Sequence, residues 1–185
     1  MSIEVFSDFN PELEKVWSDF ESESFFTPFQ SYAWLSHWQC SIGHPIYSVK
    51  PNVVLVKAKD KLIAIFPLGI RESAFGSFIL EWLGGSLSDY MGPLLSKKWG
   101  NFGKDFLDCW QNVINKLDPF DVIHLQKQKE YIGDSRNPFV RFLSCYTNLM
   151  AYHANLNNSW EIFYKNTVKN KLQSDSRRQR RRLSD

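Results

Sequence analysis

The sequence is poor in residues that staple a chain, ligate metals or span a bilayer. Its three cysteines, Cys40, Cys109 and Cys145, are odd in number and scattered. That argues against a disulfide scaffold and fits reduced thiols in the cytoplasm. Four histidines (His37, His44, His124 and His153) fall in neither an HxxxH nor an HxH pattern, so no metal site is expected. No uncharged apolar run is long enough to cross a membrane. The opening segment, MSIEVFSDFNPELE, is acidic and lacks the basic-then-apolar order of a signal peptide. A GxSxG elbow and the GxGxxG and GxxxxGK phosphate loops are also missing, which leaves Gly84-Gly85 as a turn.

What the chain does have is apolar and aromatic content. Its 185 residues are 43% hydrophobic and 16% aromatic, enough for one ordinary core and short for two. The net charge of +2 hides an asymmetry: residues 169–185 carry seven basic and two acidic side chains, and the remainder carries 15 and 18. A mildly acidic body thus accompanies a compact cationic segment.

Hydrophobic periodicity divides the chain. Ile3–Phe6 suits a strand, and Asn10-Pro11 opens an amphipathic helix over 11–22 with Leu13, Val16, Trp17 and Phe20 inward. Pro28 breaks the next stretch. Ser31 then caps a helix whose inner face is Trp34, Leu35, Trp38 and Ile42, ending at Gly43. Val53–Ala58 and Leu62–Leu68 form a hairpin across Lys59-Asp60-Lys61. Phe78–Leu83 and Tyr90–Leu95 add two strands. Asn101 opens a helix carrying Phe102, Phe106, Trp110, Val113 and Leu117, stopped at Asp118-Pro119.

Val122–Leu125 reads as a strand buried on both faces, 127–137 as a loop, and Tyr146–Ala154 as a further strand. The last helix starts at Asn158, with Glu161 completing a capping box and Trp160, Phe163, Tyr164 and Thr167 on one face. Leu172, Ser176, Gln179 and Leu183 make a second stripe, rotated from the first. The helix therefore either breaks near Ser174-Asp175-Ser176 or packs its second half on a different partner. The expected class is α+β, a mixed and largely antiparallel sheet with packed helices. Residues 1–157 form the body and 158–185 the basic helix.

Among candidate site residues, the segment from Gly84 to Leu95 stands out. It leaves a strand through two glycines, presents Asp89 and Tyr90 side by side, and re-enters at Gly92-Pro93-Leu94. An acid for an amine or hydroxyl beside a ring for stacking suits a ligand edge. The plainer alternative makes Asp89 a turn cap and Tyr90 a core residue.

Taken in order, Ile65-Phe66-Pro67-Leu68, Leu83-Gly84-Gly85, Asp89-Tyr90-Met91-Gly92-Pro93-Leu94 and Asp121-Val122-Ile123-His124-Leu125 resemble the N-terminal half of the GNAT-like acyltransferases often labelled cellulose-biosynthesis acetyltransferases. Ser159-Trp160-Glu161 followed by Arg178 and Arg181-Arg182-Leu183 is similar to that family's basic helix. The resemblance spans about residues 29–185. It implies transfer of an acyl group from acyl-CoA, in the form of acetyl-CoA, to an amine or hydroxyl on a small molecule or glycan. It also implies a tandem second lobe that holds the cofactor. The family's Q/R-x-x-G-x-G/A pyrophosphate loop is not found in this sequence. The expectation is an N-terminal lobe, inactive alone, that is truncated or complemented by a second GNAT-like lobe in cis or in trans. Asp89, Tyr90 and Arg71 are the candidates for its substrate groove, and no catalytic base is assigned.

Two readings from other classes stand beside this one. Arg177, Arg178, Arg181 and Arg182 can contact phosphate or an inter-lobe partner, and with Arg180 they can hold nucleic acid nonspecifically. Aromatic interleaving, which favours single-strand stacking, is absent there, so nucleic acid is the lesser expectation. The third reading is a noncatalytic interaction module that docks through Leu172 and Leu183.

Overall fold

The computed structural model describes residues 1–98, 105–142 and 159–183. The chain divides into two compact units, residues 1–145 and 146–185. In the first unit, strand β1 (Ser2–Phe6) leads into helix α1 (Pro11–Glu23), where Asn10 Oδ1 accepts a hydrogen bond from Leu13 N and Pro11 takes the first turn. Two residues of strand β2 (Ser24–Phe25) follow. Helix α2 (Tyr32–Trp38) is capped by Ser31 and runs through a π turn at Gln39–Gly43 into the short helix α3 (His44–Tyr47). Strands β3 (Lys50–Ala58), β4 (Lys61–Glu72), β5 (Phe78–Trp82) and β6 (Leu94–Ser96) precede helix α4 (Asp105–Ile114). Strands β7 (Val122–His124), β8 (Tyr131–Ile132) and β9 (Ser135–Arg136) and helix α5 (Pro138–Phe142) complete the unit.

The fold is α+β. The principal sheet runs β1-β3-β4-β5-β7, antiparallel except for the parallel β5–β7 pair. β3 and β4 meet at Lys59-Asp60, both with φ near +50 to +63°, the left-handed pair that a two-residue hairpin needs. Because successive side chains point to opposite faces, β3 sends Val53 and Leu55 to one side and Val54 and Val56 to the other. Trp17, Leu13, Phe20, Leu35 and Trp38 from α1 and α2 cover the first face. Phe106, Trp110 and Val113 from α4, with Phe139 from α5, cover the second. Helices on both faces explain why β3 and β4 read as continuous apolar runs.

β4 changes partner along one edge. Leu68–Glu72 pair with β5, whereas Ala64 and Ile65 pair with β6. Pro67 sits at the change with no N–H to give, and its carbonyl accepts from Leu83 N. The sheet therefore forks, and residues 83–93 connect the two limbs.

Several expectations are corrected. Trp34 is half-exposed rather than inward, while Tyr32 is buried in its place. The strand expected over Tyr90–Leu95 is shortened to Leu94–Ser96, because Gly92 has φ +140° and Pro93 follows it. β7 is not buried on both faces: among the described residues it is the last strand of the sheet, with Val122 48% and Ile123 42% exposed. A compact apolar run marks burial only when neighbours stand on both sides. The loop expected over 127–137 contains the β8–β9 hairpin, turned by Gly133-Asp134. Asn101, Phe102 and the strand expected over Tyr146–Ala154 lie outside the described residues.

In the second unit, helix α6 (Trp160–Thr167) is capped by Ser159, whose Oγ accepts from Ile162 N. Helix α7 (Asn170–Arg182) runs unbroken through Ser174-Asp175-Ser176. The break falls earlier, at the extended Val168. Gln173 holds it, donating from Nε2 to the carbonyls of Val168 (2.6 Å) and Tyr164 (3.2 Å) at the C-terminus of α6, the latter also accepting from Val168 N. No helix among the described residues is long and apolar enough to cross a membrane.

Cys109 faces the core from α4 at 1% exposure, and burial pushes its thiol from 9.0 up to about 11. A raised folded-state value means that this thiol's contribution to stability is complete below about pH 9. The contribution is lost as pH rises toward 11. We expect a thiol reagent at pH 8 to modify the exposed Cys40 in the folded chain, and Cys109 only after urea is added. Peptide mapping reads both sites, and labelling of Cys109 at the rate of Cys40 without denaturant would contradict the packing.

Candidate functional site

A cleft of about 390 Å³ in the first unit lies on the β6 side of the fork. Its walls come from four segments: Ser24–Thr27 with Gln30, Tyr90–Pro93 (without Gly92), Lys97, and Lys129, Tyr131–Gly133 and Asn137. None is a long regular element, so other contacts must hold the walls in place.

Two buried amides do this. Gln30, 6% exposed, donates from Nε2 to Gly92 O at 2.9 Å and accepts at Oε1 from Thr27 N at 2.7 Å. It joins the first wall to the second. Asn137, 1% exposed, donates from Nδ2 to Lys129 O at 2.9 Å and accepts at Oδ1 from Phe139 N at 3.0 Å, which fixes the fourth wall and starts α5. Buried amides keep such geometry because an unmet donor or acceptor there is costly.

Lys127 secures the loop that presents Tyr90. Its ammonium donates to the carbonyls of Ser88 (2.8 Å), Ser86 (3.1 Å) and Gly85 (3.3 Å), one for each N–H it owns. Its own carbonyl accepts from Met91 N at 3.0 Å. Ser88 is fully buried, and its Oγ accepts from Trp34 Nε1 at 3.0 Å. Gly84 has φ +112°, and a Cβ there would collide with Ser88 Oγ, so only glycine starts this turn. Gly133 on the opposite wall has φ +58°, and a Cβ would reach 2.6 Å from the Phe25 ring.

Tyr90 lines the cleft, half-buried. Its ring is 6.4 Å from Phe29, and Lys129 Nζ is 5.5 Å from its centroid, a cation–π distance. Asp89, the neighbour, is exposed and does not line the cleft. Arg71 is elsewhere, on β4, where its Nε meets Glu81 Oε1 at 3.0 Å. The three candidates are therefore not one constellation: Tyr90 faces the cleft, Asp89 is beside it, and Arg71 is engaged by a carboxylate. Arg177, Arg178, Arg181 and Arg182 lie exposed on α7, with Arg178 3.7 Å from Asp175. Among the described residues no group of three or more His, Cys, Asp and Glu could hold a metal ion.

Sequence reading passed over Gln30, Lys97, Lys127, Lys129 and Asn137. Only the hairpin near Asn137 had a readable signal, since Gly133-Asp134 is a known turn dipeptide. Compared with known proteins, the chain matches no family model, no curated protein and no solved structure.

Proposed function

We propose that the first unit is the acceptor-binding lobe of a GNAT-like acyltransferase. The reaction moves an acyl group from acyl-CoA, in the form of acetyl-CoA, to an amine or hydroxyl of a small molecule or glycan in the cytoplasm. One observation carries the reading. Tyr90, the aromatic of the Asp89-Tyr90-Met91-Gly92-Pro93-Leu94 segment, stands in a cleft that also offers rings and a few polar groups, the usual make-up of a small-molecule site. In such a transfer the acceptor's lone pair attacks the thioester carbonyl, the CoA thiolate leaves, and the acceptor's proton passes to a general base. The described cleft wall offers neither imidazole nor carboxylate. The base and the acyl-CoA site are therefore assigned to a second GNAT-like lobe, in cis or in trans.

Calorimetry of the chain alone with acetyl-CoA is expected to give no saturable heat. Tight binding would overturn this division of labour. A thermal-shift screen of amine- and hydroxyl-bearing small molecules and glycans is expected to find ligands that stabilise the wild type and not Tyr90→Ala. A screen without any such ligand would remove the acceptor site.

The arrangement of α7 favours a second reading. At about 100° per residue its five arginines share one arc of about 200°, opposite Leu172, Gln179 and Leu183. Such a face neutralises phosphates, and its affinity falls steeply with salt. On this reading a gel shift with a single-stranded RNA 20-mer is present at 20 mM and lost at 300 mM KCl, and Arg177→Ala/Arg181→Ala weakens it regardless of sequence. No shift at low salt would retire the nucleic-acid reading.

A further inference from the structure

The cleft carries an electrical bias that its role as an acceptor site does not require. Lys97 and Lys129 line it, and no aspartate or glutamate does among the described residues. Of the carboxylates nearby, Glu23 lies 3.7 Å from Lys98 and Glu130 lies 3.6 Å from Arg136, while Asp89 and Asp134 are exposed and do not line the cleft. Lys97 Nζ donates once, to Ser22 O at 2.9 Å, which leaves two of its three N–H groups. Lys129 Nζ has the Tyr90 ring and, among the described residues, no ion pair. Around these groups stand the rings of Phe25, Phe26, Tyr90 and Tyr131.

From this we infer that the ligand of the cleft is an anion built on a ring, a carboxylate-bearing molecule of one or two rings. The lysines meet its negative charge, and the aromatic rings cover its flat face. Ammonium and carboxylate form charge-assisted hydrogen bonds, which set a charge preference that the rings do not. The volume fits this size, because small-molecule sites begin near 300 Å³. Two sources share the chemistry, a sugar acid and an aromatic acid. Four phenyl-type rings serve either one, through the C–H face of a pyranose or through ring-on-ring contact. The inference rests on the acceptor-site reading above and specifies its substrate class.

Binding is tested on the full chain without acyl-CoA, by calorimetry in 20 mM and in 300 mM NaCl. The probes are digalacturonate as sugar acid, 2-naphthoate as aromatic acid, cellobiose as neutral disaccharide and inorganic phosphate as a ringless anion. At least one ring acid is expected to bind about tenfold or more tighter than cellobiose and phosphate, and to weaken at high salt. Lys129→Gln and Lys97→Gln alter exposed side chains and leave the fold intact; each is expected to cost the acid about tenfold and cellobiose nothing. Tyr90→Ala is expected to weaken the ring acids and leave phosphate unchanged. Equal binding of cellobiose, tighter binding of phosphate, indifference to both lysine variants, or no binding of either acid would each overturn the inference. Failure of the acyltransferase reading looks different: the acid binds as stated, yet is not acetylated when a GNAT lobe and acetyl-CoA are supplied.

Discussion

Phe139→Ala should lower the free energy of unfolding by about 3–5 kcal/mol, measured from urea melts followed by tryptophan fluorescence. The ring is 3% exposed and meets four other aromatic rings edge-on: Phe106 and Trp110 at 4.9 Å, Trp82 at 5.3 Å and Phe66 at 5.8 Å. Removing it opens a cavity at the point where α4, α5 and the sheet converge, and each neighbour loses a partner of favourable geometry. Two of those neighbours are tryptophans, so the native emission should also shift. The effect extends beyond the core, since Phe139 N is held by Asn137 Oδ1 and Asn137 fixes the fourth wall of the cleft. Loss below about 1.5 kcal/mol would mean that the core collapses over the gap, contrary to the close packing described.

Gln30→Leu is the second large effect, about 2–4 kcal/mol by the same measurement. Leucine keeps the volume but leaves Gly92 O and Thr27 N buried without their partner, and an unmet buried group costs about 1–3 kcal/mol. Trp17 Nε1 donates to Gln30 O at 3.2 Å, a backbone contact that the substitution retains. The damage is therefore confined to the link between two cleft walls. Ligand affinity should fall in Gln30→Leu even at temperatures where the chain is fully folded. A variant with lowered stability but native affinity would show that Gln30 does not shape the cleft.

These two residues mark how far the sequence could be read. Phe139 follows Asn137-Pro138, and an aromatic after such a break gives no sign that it will enter a cluster of four rings from distant segments. Gln30 sits next to a proline-induced break, where a glutamine reads as surface. Its acceptor, Gly92 O, is 62 positions away, a separation that local patterning does not carry. By contrast, α1, the β3–β4 hairpin and β5 were legible because cap, period and turn agree within a few residues. The edge position of β7 was not legible. Val122 and Ile123 have the composition of a central strand, and only the order of strands reveals that nothing described stands beyond them. Tyr90 was found from its segment. Its cationic neighbours were missed because Lys97 and Lys129, 32 positions apart, meet only through the fork and the β8–β9 hairpin.

The fork in β4 has a mechanical consequence. Along one edge β4 is bonded to β3 from Lys50 through Ala58, a single member interrupted only by a bulge between Val56 and Lys57. Along the other edge the load is divided between two members, β5 with β7, and β6 with β2. Of these two members, the β6–β2 limb carries the cleft walls at Ser24 and Phe25 and those at Pro93 and Lys97, which flank β6. That limb is joined to β4 by only two paired residues, whereas β5 is joined by five. Strain from a seated ligand is thus taken by the more compliant member, while the stiffer one keeps the sheet in register.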